Sequence, residues 1–317
     1  MRLSSLFEDF CSYLSVERGC SPRTVVTYRK YFGYFLTFAT TEVPGNTVLR
    51  EHFTPELCRR YQYSMAQRGL EAASIRVRLA VLASFGKWSA RRGKLSVNPL
   101  DMVTRPRKKS KLPVVPRWTA VEGILGRCRK LRDKAVVALL GYGGLRRSEV
   151  VALDVGDYDA DFGLRRVKGK GEHEAAVALP EVARAILDAY LERERPTARF
   201  DEPLFLVRYK KWPGEWQVRR MDSHRVWKLI KDMGRRAGVP ELHPHAFRHA
   251  CGVELLKRNG GNLRVVQEHL RHQDIGTTVT YTRIAQHDLQ KAVSVFDTGH
   301  GNNGTHPVPH GTETKRG

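Results

Sequence analysis

The sequence of 317 residues has few cysteines and no long apolar run, and each of these features excludes a class of protein. Its five cysteines are scattered and odd in number, with no Cys-x-x-Cys pair, so neither a disulfide framework nor a zinc ribbon is expected. No apolar run approaches the length of a membrane span. The first ten residues include acidic side chains, which is unlike a signal peptide. We therefore expect a cytoplasmic protein with reduced thiols and no membrane contact.

Clustered metal ligands are also missing from the sequence. Asp, Glu and His do not gather at spacings typical of metal sites, and the three histidines of the C-terminal tail lack acidic or cysteine partners. We therefore expect no metal and no cofactor. This disfavours a metal-dependent nuclease or phosphatase as the function of the chain.

Basic residues, by contrast, are abundant. The 55 Lys and Arg outnumber the 33 Asp and Glu, which gives a net charge of +22 and a pI near 10.1. A chain this basic binds polyanions, and nucleic acid is the first expectation. The alternative is a merely soluble or ribosomal-type basic protein. It is disfavoured because the charges are interleaved with amphipathic helical patterns, and an apolar content of 41% is enough for a folded core.

Residues 1–104 carry four helical patterns joined by short polar connections, which predicts a small all-α bundle. Two of these helices have strong start signals, Ser21-Pro22 and Thr54-Pro55, in which a capping hydroxyl precedes a proline. The bundle is therefore the predicted N-terminal domain.

The fourth helical pattern of this bundle runs from about Ser74 to Arg92 and has a basic face. This face either follows a phosphate backbone or is an ordinary solvated surface, and the pattern alone favours neither. We predict DNA contacts from Arg76, Lys87 and Arg91.

A basic segment, RPRKKSKLPVVP at residues 105–116, separates the two halves of the chain. It contains five basic residues, no acidic residue and three prolines, which predicts an extended interdomain linker lying along a phosphate backbone. We therefore divide the chain into an N-terminal domain at 1–104, this linker, a C-terminal domain at 117–297 and a disordered tail at 298–317.

The C-terminal domain is predicted to be rich in α-helix. Residues 163–179 alternate around a Gly-Lys-Gly centre, which predicts a β-hairpin, and residues 202–209 predict a short strand or a turn. Helical patterns occur at 119–128, 131–142, 180–195, 223–237 and 284–296.

Residues 243–281 concentrate groups suited to chemistry on a phosphodiester. His245 and Arg248 open one helical pattern, His272 follows a later helix, and Tyr281 comes nine residues beyond it. These side chains offer a proton shuttle, a rigid phosphate fork, a hydrogen-bond donor and an oxygen nucleophile. The set predicts cleavage of a phosphodiester without a metal.

Two upstream residues complete the chemistry that such a cleavage requires. Arg146 follows a glycine turn and precedes a helix, where its guanidinium can hold phosphate oxygens. Lys170 lies between two glycines at the tip of the predicted hairpin, from which it could enter the minor groove and protonate a leaving 5′ oxygen. Lys168 is a competing candidate for this lysine.

Each of these residues, taken alone, also has a purely structural explanation. Arg146 could pair with Glu149, His245 could be bonded within a core, and Tyr281 could be one of 11 tyrosines packed on a helix. The order and spacing of the whole set carry the functional interpretation.

The same residues lie in blocks that resemble the tyrosine recombinases of the phage integrase family, with the layout of the Xer type. The resemblance spans nearly all of residues 1–297. Its blocks are SIRVRLAVLASFGKWSARRGKLSVNP at 74–99, GLRRSE at 144–149, the VKGKG turn, HPHAFRHACGVELL at 243–256 and HLRHQDIGTTVTYTR at 269–283.

This resemblance implies a mainly α fold. A four-helix core-binding domain of the SAM-like type would be followed by an α-rich catalytic domain with a small antiparallel β-hairpin or sheet. It implies that Tyr281 is the nucleophile and Glu149 a supporting residue. The other catalytic residues it implies are Arg146, Lys170, His245, Arg248 and His272.

The resemblance also implies the reaction and the partners. Strands would be cut and rejoined through a 3′-phosphotyrosyl intermediate and a Holliday junction, without metal or cofactor. The enzyme would act as a homotetramer, or as a heterotetramer with a related recombinase, on double-stranded recombination sites. The helix at 284–296 would link protomers. The alternative is a catalytically silent, sequence-specific DNA-binding protein on the same scaffold.

The chain departs from the family pattern at an extra glycine at 260–261, which is expected to be harmless, and at two places that bear on the predicted site. Arg271 stands where the family usually has glycine before the histidine that corresponds to His272, which adds bulk and charge beside the predicted site. Glu172, His173 and Glu174 follow Lys170 where the family tends to have basic residues, so weaker DNA contacts are expected from this hairpin.

Overall fold

The structure, a computed structural model, describes residues 1–43, 48, 50–107, 115–169, 174–272, 278, 279, 281, 282 and 284. Within these residues, no helix is long and apolar enough to cross a membrane. The chain forms two compact units, Met1–Lys111 and Leu112–Gly317. Lys170, most of the predicted linker, nearly all of the predicted helix at 284–296 and the tail lie outside the described residues.

The first unit consists of four α-helices, two of which begin at the start signals found in the sequence. The Ser21 hydroxyl accepts a hydrogen bond from the Thr24 backbone N–H at 3.3 Å, and Pro22 follows as the first helical residue. Thr54 caps the next helix in the same way. The four helices are α1 at Leu3–Val16, α2 at Pro22–Glu42, α3 at Pro55–Gln67 and α4 at Ala72–Arg91.

The core of this unit is built around phenylalanine side chains from α1, α2, α4 and the loop before α3. Phe85 of α4 lies at its centre, with its ring 5.0 Å from that of Phe32 in an edge-to-face arrangement. Phe7 and Phe53 also pack on Phe85. Because α4 buries this face, its basic residues Lys87 and Arg91 are left exposed.

The second unit is organised around one apolar helix. Its helices are α5 at Trp118–Gly126, α6 at Leu131–Gly141, α7 at Arg147–Ala152, α8 at Glu181–Glu194, α9 at Ser223–Arg236, α10 at Pro244–Arg258 and α11 at Leu263–Leu270. The last seven residues of α6 are all buried, and α8 and α10 pack against it. A helix apolar on every side belongs at the centre of a core, which explains this arrangement.

Two small antiparallel sheets flank these helices. The first contains β1 at Tyr158–Asp159, β2 at Gly163–Lys168 and β3 at Glu174–Ala178. Strands β2 and β3 form the hairpin predicted at 163–179, with Lys168 opposite Glu174. The mainly α fold with a small antiparallel hairpin is thus confirmed.

The second sheet adds a strand to a sequence-based prediction. Where a short strand or turn was predicted at 202–209, the chain forms strand β4 at Leu206–Lys211, and the unpredicted β5 at Glu215–Arg220 pairs with it as a hairpin. The second strand, EWQVRR, was missed because most of its side chains are exposed and its apolar alternation is limited to Trp216 and Val218.

Candidate active site

Arg146 is fixed at the start of α7 by a buried carboxylate. Glu149 is only 3% exposed; its Oε1 contacts Arg146 Nη1 at 2.6 Å, and its Oε2 accepts from the Arg146 backbone N–H at 2.8 Å. The Arg146 side chain remains 42% exposed. The guanidinium is therefore held at its base while part of it stays open to an incoming ligand.

The turn before Arg146 requires glycine. Gly144 has a φ of +57°, and a Cβ at this position would overlap Leu270 Cδ2. Its carbonyl accepts a hydrogen bond from Arg248 Nη1, while Arg248 Nη2 donates to the Leu270 carbonyl. Arg248 thus connects the GLRRSE block at 144–149 to the end of α11.

Helix α10 presents its histidines and arginine in different environments. His243 caps the helix through Nδ1, which accepts from the Ala246 backbone N–H at 3.1 Å, and Pro244 follows. His245 is exposed one residue later, whereas Arg248 is completely buried. Partial desolvation and the charge of Arg248 lower the pKa of His245.

Arg248 is a buried cation. Burial lowers its pKa to about 10, and the neighbouring charges of Arg146 and Arg271 act in the same direction. It therefore remains charged at neutral pH. A buried positive charge of this kind is costly unless an anion compensates it, which makes the position suited to a phosphate.

Helix α11 ends on an arginine in an unusual conformation. Arg271 has a φ of +55°, in the left-handed region, which costs a non-glycine residue about 1–2 kcal/mol. Its side chain is 12% exposed, and Nη2 contacts Glu149 Oε2 at 2.9 Å. The departure from glycine noted in the sequence therefore creates a second arginine on the Glu149 carboxylate.

His272 is oriented by a buried threonine. Its Nδ1 lies 3.0 Å from Thr278 Oγ1, and Thr278 is fully buried. Burial first, and then the charges of Arg248 and Arg146, lower the pKa of His272 to about 4, so the ring is neutral at neutral pH. If the Thr278 hydroxyl donates to Nδ1, the ring proton lies on Nε2, where it can be donated to an oxyanion.

Tyr281 lies beside His272 with its hydroxyl covered. The two ring centroids are 6.0 Å apart and the rings are nearly parallel. Tyr281 is 1% exposed, and its hydroxyl has no hydrogen-bond partner among the described residues. Burial raises its pKa to about 12, an effect that the charge of Arg248 opposes. The hydroxyl is thus protonated at neutral pH in this conformation.

The ring of Tyr281 packs directly on a glycine of α10. A Cβ at Gly252 would lie 2.7 Å from both Cε2 and Cζ of Tyr281. We expect Gly252→Ala to lower the free energy of unfolding by about 1–3 kcal/mol because of this overlap. Chemical denaturation of the purified variant measures it.

Gly33→Ala is the matched control for this substitution. Gly33 lies inside α2, and an added Cβ would meet nothing within 4 Å, so this variant should gain about 0.5–1 kcal/mol. Equal gains for both variants would contradict the close contact between Gly252 and Tyr281.

His249 is a site residue that the sequence reasoning did not single out. Its ring centroid lies 4.5 Å from that of His245 and 5.7 Å from that of Tyr281. The spacing of four from His245 within α10 was the available signal, since residues i and i+4 share a helix face. Burial, followed by the neighbouring His245, lowers the pKa of His249 to about 4.

The two low histidine pKa values predict a specific pH dependence of stability. The ordinary histidine pKa is 6.5. Below pH 6.5, His249 and His272 are therefore protonated in the unfolded chain but stay neutral in the folded state until about pH 4. The free energy of unfolding should therefore fall as the pH drops from about 7 to about 5. Thermal melting across this interval measures the effect.

Single glutamine substitutions provide the control for this prediction. His249→Gln and His272→Gln should each flatten the dependence of melting temperature on pH. Glu149 does not contribute to this effect. Burial raises its pKa, but Arg271 and the hydrogen bonds from Arg146 outweigh burial and keep the pKa below its ordinary value, and so below about pH 5. A melting temperature of the wild type that does not change between about pH 7 and about pH 5 would contradict the prediction.

The structure brings most of the predicted catalytic set together in the second unit. Arg146, Glu149, His245, Arg248, His272 and Tyr281 all belong to the network of contacts and charges described above. Lys170 lies outside the described residues, whereas its competitor Lys168 is exposed at the end of β2.

The three predicted DNA-contacting residues belong to the first unit and differ in their surroundings. Lys87 and Arg91 are exposed on α4. Arg76 is half-buried, and its Nη1 donates to the Pro106 carbonyl at 2.9 Å. Arg76 therefore has a structural contact, in addition to any role in binding.

A cavity of about 390 Å³ opens beside Arg146 and His245, with Trp227 and His243 also in its lining. Over the described part of the chain, no three or more His, Cys, Asp or Glu side chains are grouped to hold a metal ion.

Family profiles match both units of the chain. The profile described as the phage integrase family matches residues 119–287, and that of the phage integrase N-terminal SAM-like domain matches residues 7–93. The SAM-like character expected of the N-terminal helices is thereby confirmed.

Two curated relatives match nearly the full length of the chain. Tyrosine recombinase XerD of Listeria monocytogenes serotype 4b is 30% identical over 303 residues, covering 93% of this chain and 99% of the relative. Tyrosine recombinase XerC of Xylella fastidiosa is 31% identical over 307 residues, covering 94% and 97%.

Solved structures share the fold at lower identity. XerH site-specific recombinase bound to a palindromic difH substrate, in a post-cleavage complex, has a TM-score of 0.67 at 19% identity, covering 92% of this chain and 84% of that one. A lambda integrase dimer bound to a COC′ core site has a TM-score of 0.68 at 15% identity, covering 89% and 95%. The chain therefore belongs to the phage integrase family of tyrosine-type site-specific recombinases.

Proposed function

We propose that this recombinase cleaves double-stranded DNA by attack of Tyr281 on a scissile phosphate, forming a 3′-phosphotyrosyl bond. Arg146 and Arg248 hold the non-bridging oxygens, and His272 donates a hydrogen bond to the same developing charge. His245 assists proton transfer or orientation, and Glu149 holds Arg146.

The observation that carries this proposal is the convergence of three separate chain segments on one tyrosine. Arg146 comes from the start of α7, Arg248 from α10, and His272 from the residues after α11, and the charges of both arginines act on Tyr281. Electrostatic groups fixed in advance around a developing charge are the largest single source of rate acceleration in such sites. The exposed part of the Arg146 guanidinium is available to a phosphate rather than used to support the fold.

The proposed step balances in atoms and charge. Tyr281 Oη forms a bond to phosphorus as its proton passes to a base, for which we assign His245. The bond from phosphorus to the 5′ oxygen breaks, and the leaving oxygen gains a proton. We assign that last proton to Lys170, on the resemblance of the VKGKG turn. The new phosphodiester to tyrosine retains the energy of the broken bond, so attack by a 5′ hydroxyl reseals the strand without ATP.

The covered hydroxyl of Tyr281 adds a condition to this mechanism. At 1% exposure, no phosphate reaches the hydroxyl in the conformation described. Binding of DNA must therefore uncover it. An approaching phosphate also compensates the buried charge of Arg248, so the free energy of binding is available to drive this change.

The proposed substrate and assembly follow from charge and from the relatives. The net charge of +22 and the exposed Lys87 and Arg91 support binding along a duplex. The XerH and lambda integrase structures contain those proteins on DNA sites. We extend this to a tetramer of identical or related subunits that exchanges strands through a Holliday junction on two sites.

The test uses a pool of nicked suicide duplexes with a randomised central segment. The nick lets the short fragment that carries the new 5′ hydroxyl diffuse away after cleavage. The strand cannot then be resealed, so the covalent protein–DNA product accumulates and its sequence can be recovered. We expect an adduct that survives denaturing electrophoresis and forms equally well in EDTA. A protein that retains duplex without any covalent product would favour the silent DNA-binding alternative, and cleavage abolished by EDTA would favour a metal-dependent nuclease.

A further inference from the structure

We propose that Arg271 is a positioning residue that fixes Arg146 in place through Glu149. This inference rests on the proposed function of Arg146 as a phosphate-binding group. It gives a role to a side chain that follows α11 in a left-handed backbone conformation.

The backbone of Arg271 is the first observation. Among the described residues, it is the one non-glycine residue with a positive φ, at +55°. Glycine adopts this conformation at the end of a helix without steric cost, whereas arginine does not. An unfavourable backbone conformation kept beside a reaction site indicates that the side chain is needed there.

The contacts of the Arg271 side chain are the second observation. Nη2 lies 2.9 Å from Glu149 Oε2, and Nη1 donates to the His269 carbonyl at 3.0 Å. The two ionised side chains are only 12% and 3% exposed. This is a desolvated ion pair with a fixed geometry rather than a mobile surface contact.

The other contacts of Glu149 show what the pair controls. The carboxylate reaches Arg146 twice, through the guanidinium at 2.6 Å and through the backbone N–H at 2.8 Å. Glu149 therefore lies between two arginines, with Arg146 on one side and Arg271 on the other. Without Arg271, Oε2 keeps only the backbone N–H, and the buried carboxylate loses the charge that most stabilises its ionised form.

This arrangement couples the site to pH. The charged groups that face Glu149 are Arg146, Arg271 and the more distant Arg248, whose own pKa the carboxylate raises. Loss of Arg271 leaves burial less opposed, so the pKa of Glu149 must rise. Glu149 would then be protonated at a higher pH and would release the Arg146 guanidinium. The acid limb, the fall of the cleavage rate at low pH, would therefore move to a higher pH.

The kinetic test measures single-turnover cleavage of a suicide duplex recovered from the randomised pool. We expect Arg271→Met to lower the cleavage rate by up to roughly 100-fold, because Arg146 is displaced from its position. Affinity for the duplex should stay within a factor of about 2, since Arg271 does not itself hold the phosphate. The acid limb should move to higher pH, and Arg271→Lys should restore part of the rate.

The matched control is Arg264→Met, which removes an arginine of α11, the helix that Arg271 follows. Arg264 pairs with Glu268 at 2.6 Å, but both side chains are largely exposed. This variant should cleave at the wild-type rate with an unchanged acid limb, because the exposed pair lies outside the network of Glu149.

A double variant tests the route through Glu149. Once Glu149→Gln has removed the carboxylate, Arg271→Met should cause little further loss of cleavage rate. Independent, multiplicative losses in the double variant would overturn the proposal. So would a wild-type rate and acid limb in Arg271→Met, or a loss explained by weaker duplex binding alone.

A DNA-free measurement separates this inference from the proposed function. In protein labelled with a heavy nitrogen isotope at arginine, the Arg146 side-chain signals report directly on its mobility. We expect ordered Arg146 signals in wild type and Arg264→Met, and mobile ones in Arg271→Met. That pattern without any covalent adduct would refute the proposed function but keep the positioning role; equal Arg146 mobility in all three proteins would overturn the positioning role itself.

Discussion

Tyr281→Phe is expected to abolish the covalent protein–DNA adduct while leaving the protein folded and able to bind the duplex. Phenylalanine has no oxygen to attack phosphorus, so the bond between position 281 and the phosphate cannot form. The Tyr281 hydroxyl is buried without a partner among the described residues, and its removal should therefore maintain or raise the free energy of unfolding. Denaturing electrophoresis and chemical denaturation measure the two results.

Tyr190→Phe provides the opposite result in the same unit. Tyr190 is as well buried as Tyr281, but its hydroxyl donates to the Leu204 carbonyl at 3.0 Å. This variant should lose about 0.5–1.5 kcal/mol of stability and keep the adduct. If Tyr281→Phe still forms the adduct, or if Tyr190→Phe alone loses it, Tyr281 is not the nucleophile.

Arg248→Met should cause the second largest loss, and it should affect both catalysis and stability. Removal of the charge is expected to lower the cleavage rate by about 10²–10³-fold, since the developing charge on phosphorus loses a fixed cation. The Gly144 and Leu270 carbonyls lose their donor at the same time, which should cost about 1–3 kcal/mol in the free energy of unfolding. Single-turnover kinetics and denaturation of the same preparation measure both.

Arg195→Met controls for the structural part of this effect. Arg195 is 10% exposed and also donates to two backbone carbonyls, those of Pro203 and Leu204, at 2.8 and 3.2 Å. It should lose stability to a similar extent and retain the wild-type cleavage rate. Equal losses of rate in the two variants would mean that Arg248 acts only by supporting the fold.

The helices could be predicted from the sequence where local signals and long-range packing agree. In α2 and α3, capping hydroxyls and first-turn prolines mark the starts, and apolar residues recur on the face that the bundle buries. Strand β5 had no such agreement. Trp216 and Val218 alternate with polar residues, but both side chains are exposed, so no buried face supports this short pattern.

The residues of the site could be predicted better than the hydrogen bonds and ion pairs that join them. The order of arginine, histidine and tyrosine identified the groups, but the second task of Arg248, the donation of hydrogen bonds to two carbonyls, depends on the folded backbone. Arg271 was noted as bulk and charge beside the site. Its pairing with Glu149 joins residues 122 positions apart, and no local pattern encodes that contact.

Low histidine pKa values also follow from packing rather than from sequence. His249 and His272 lie on different segments, and both become neutral groups because burial opposes their charge, supported by His245 at His249 and by Arg248 at His272. The sequence identified His272 as a hydrogen-bond donor. The structure adds that it would donate as a neutral imidazole oriented by Thr278.

The most direct test of this account is to locate the covalent bond. Wild-type protein is trapped on the suicide duplex in EDTA, the complex is digested with protease, and the peptide that carries nucleotide is sequenced by mass spectrometry. We expect the nucleotide on Tyr281 through a 3′ phosphate. A nucleotide on any other residue, a 5′ linkage, or cleaved DNA with no attached peptide would contradict the central claim.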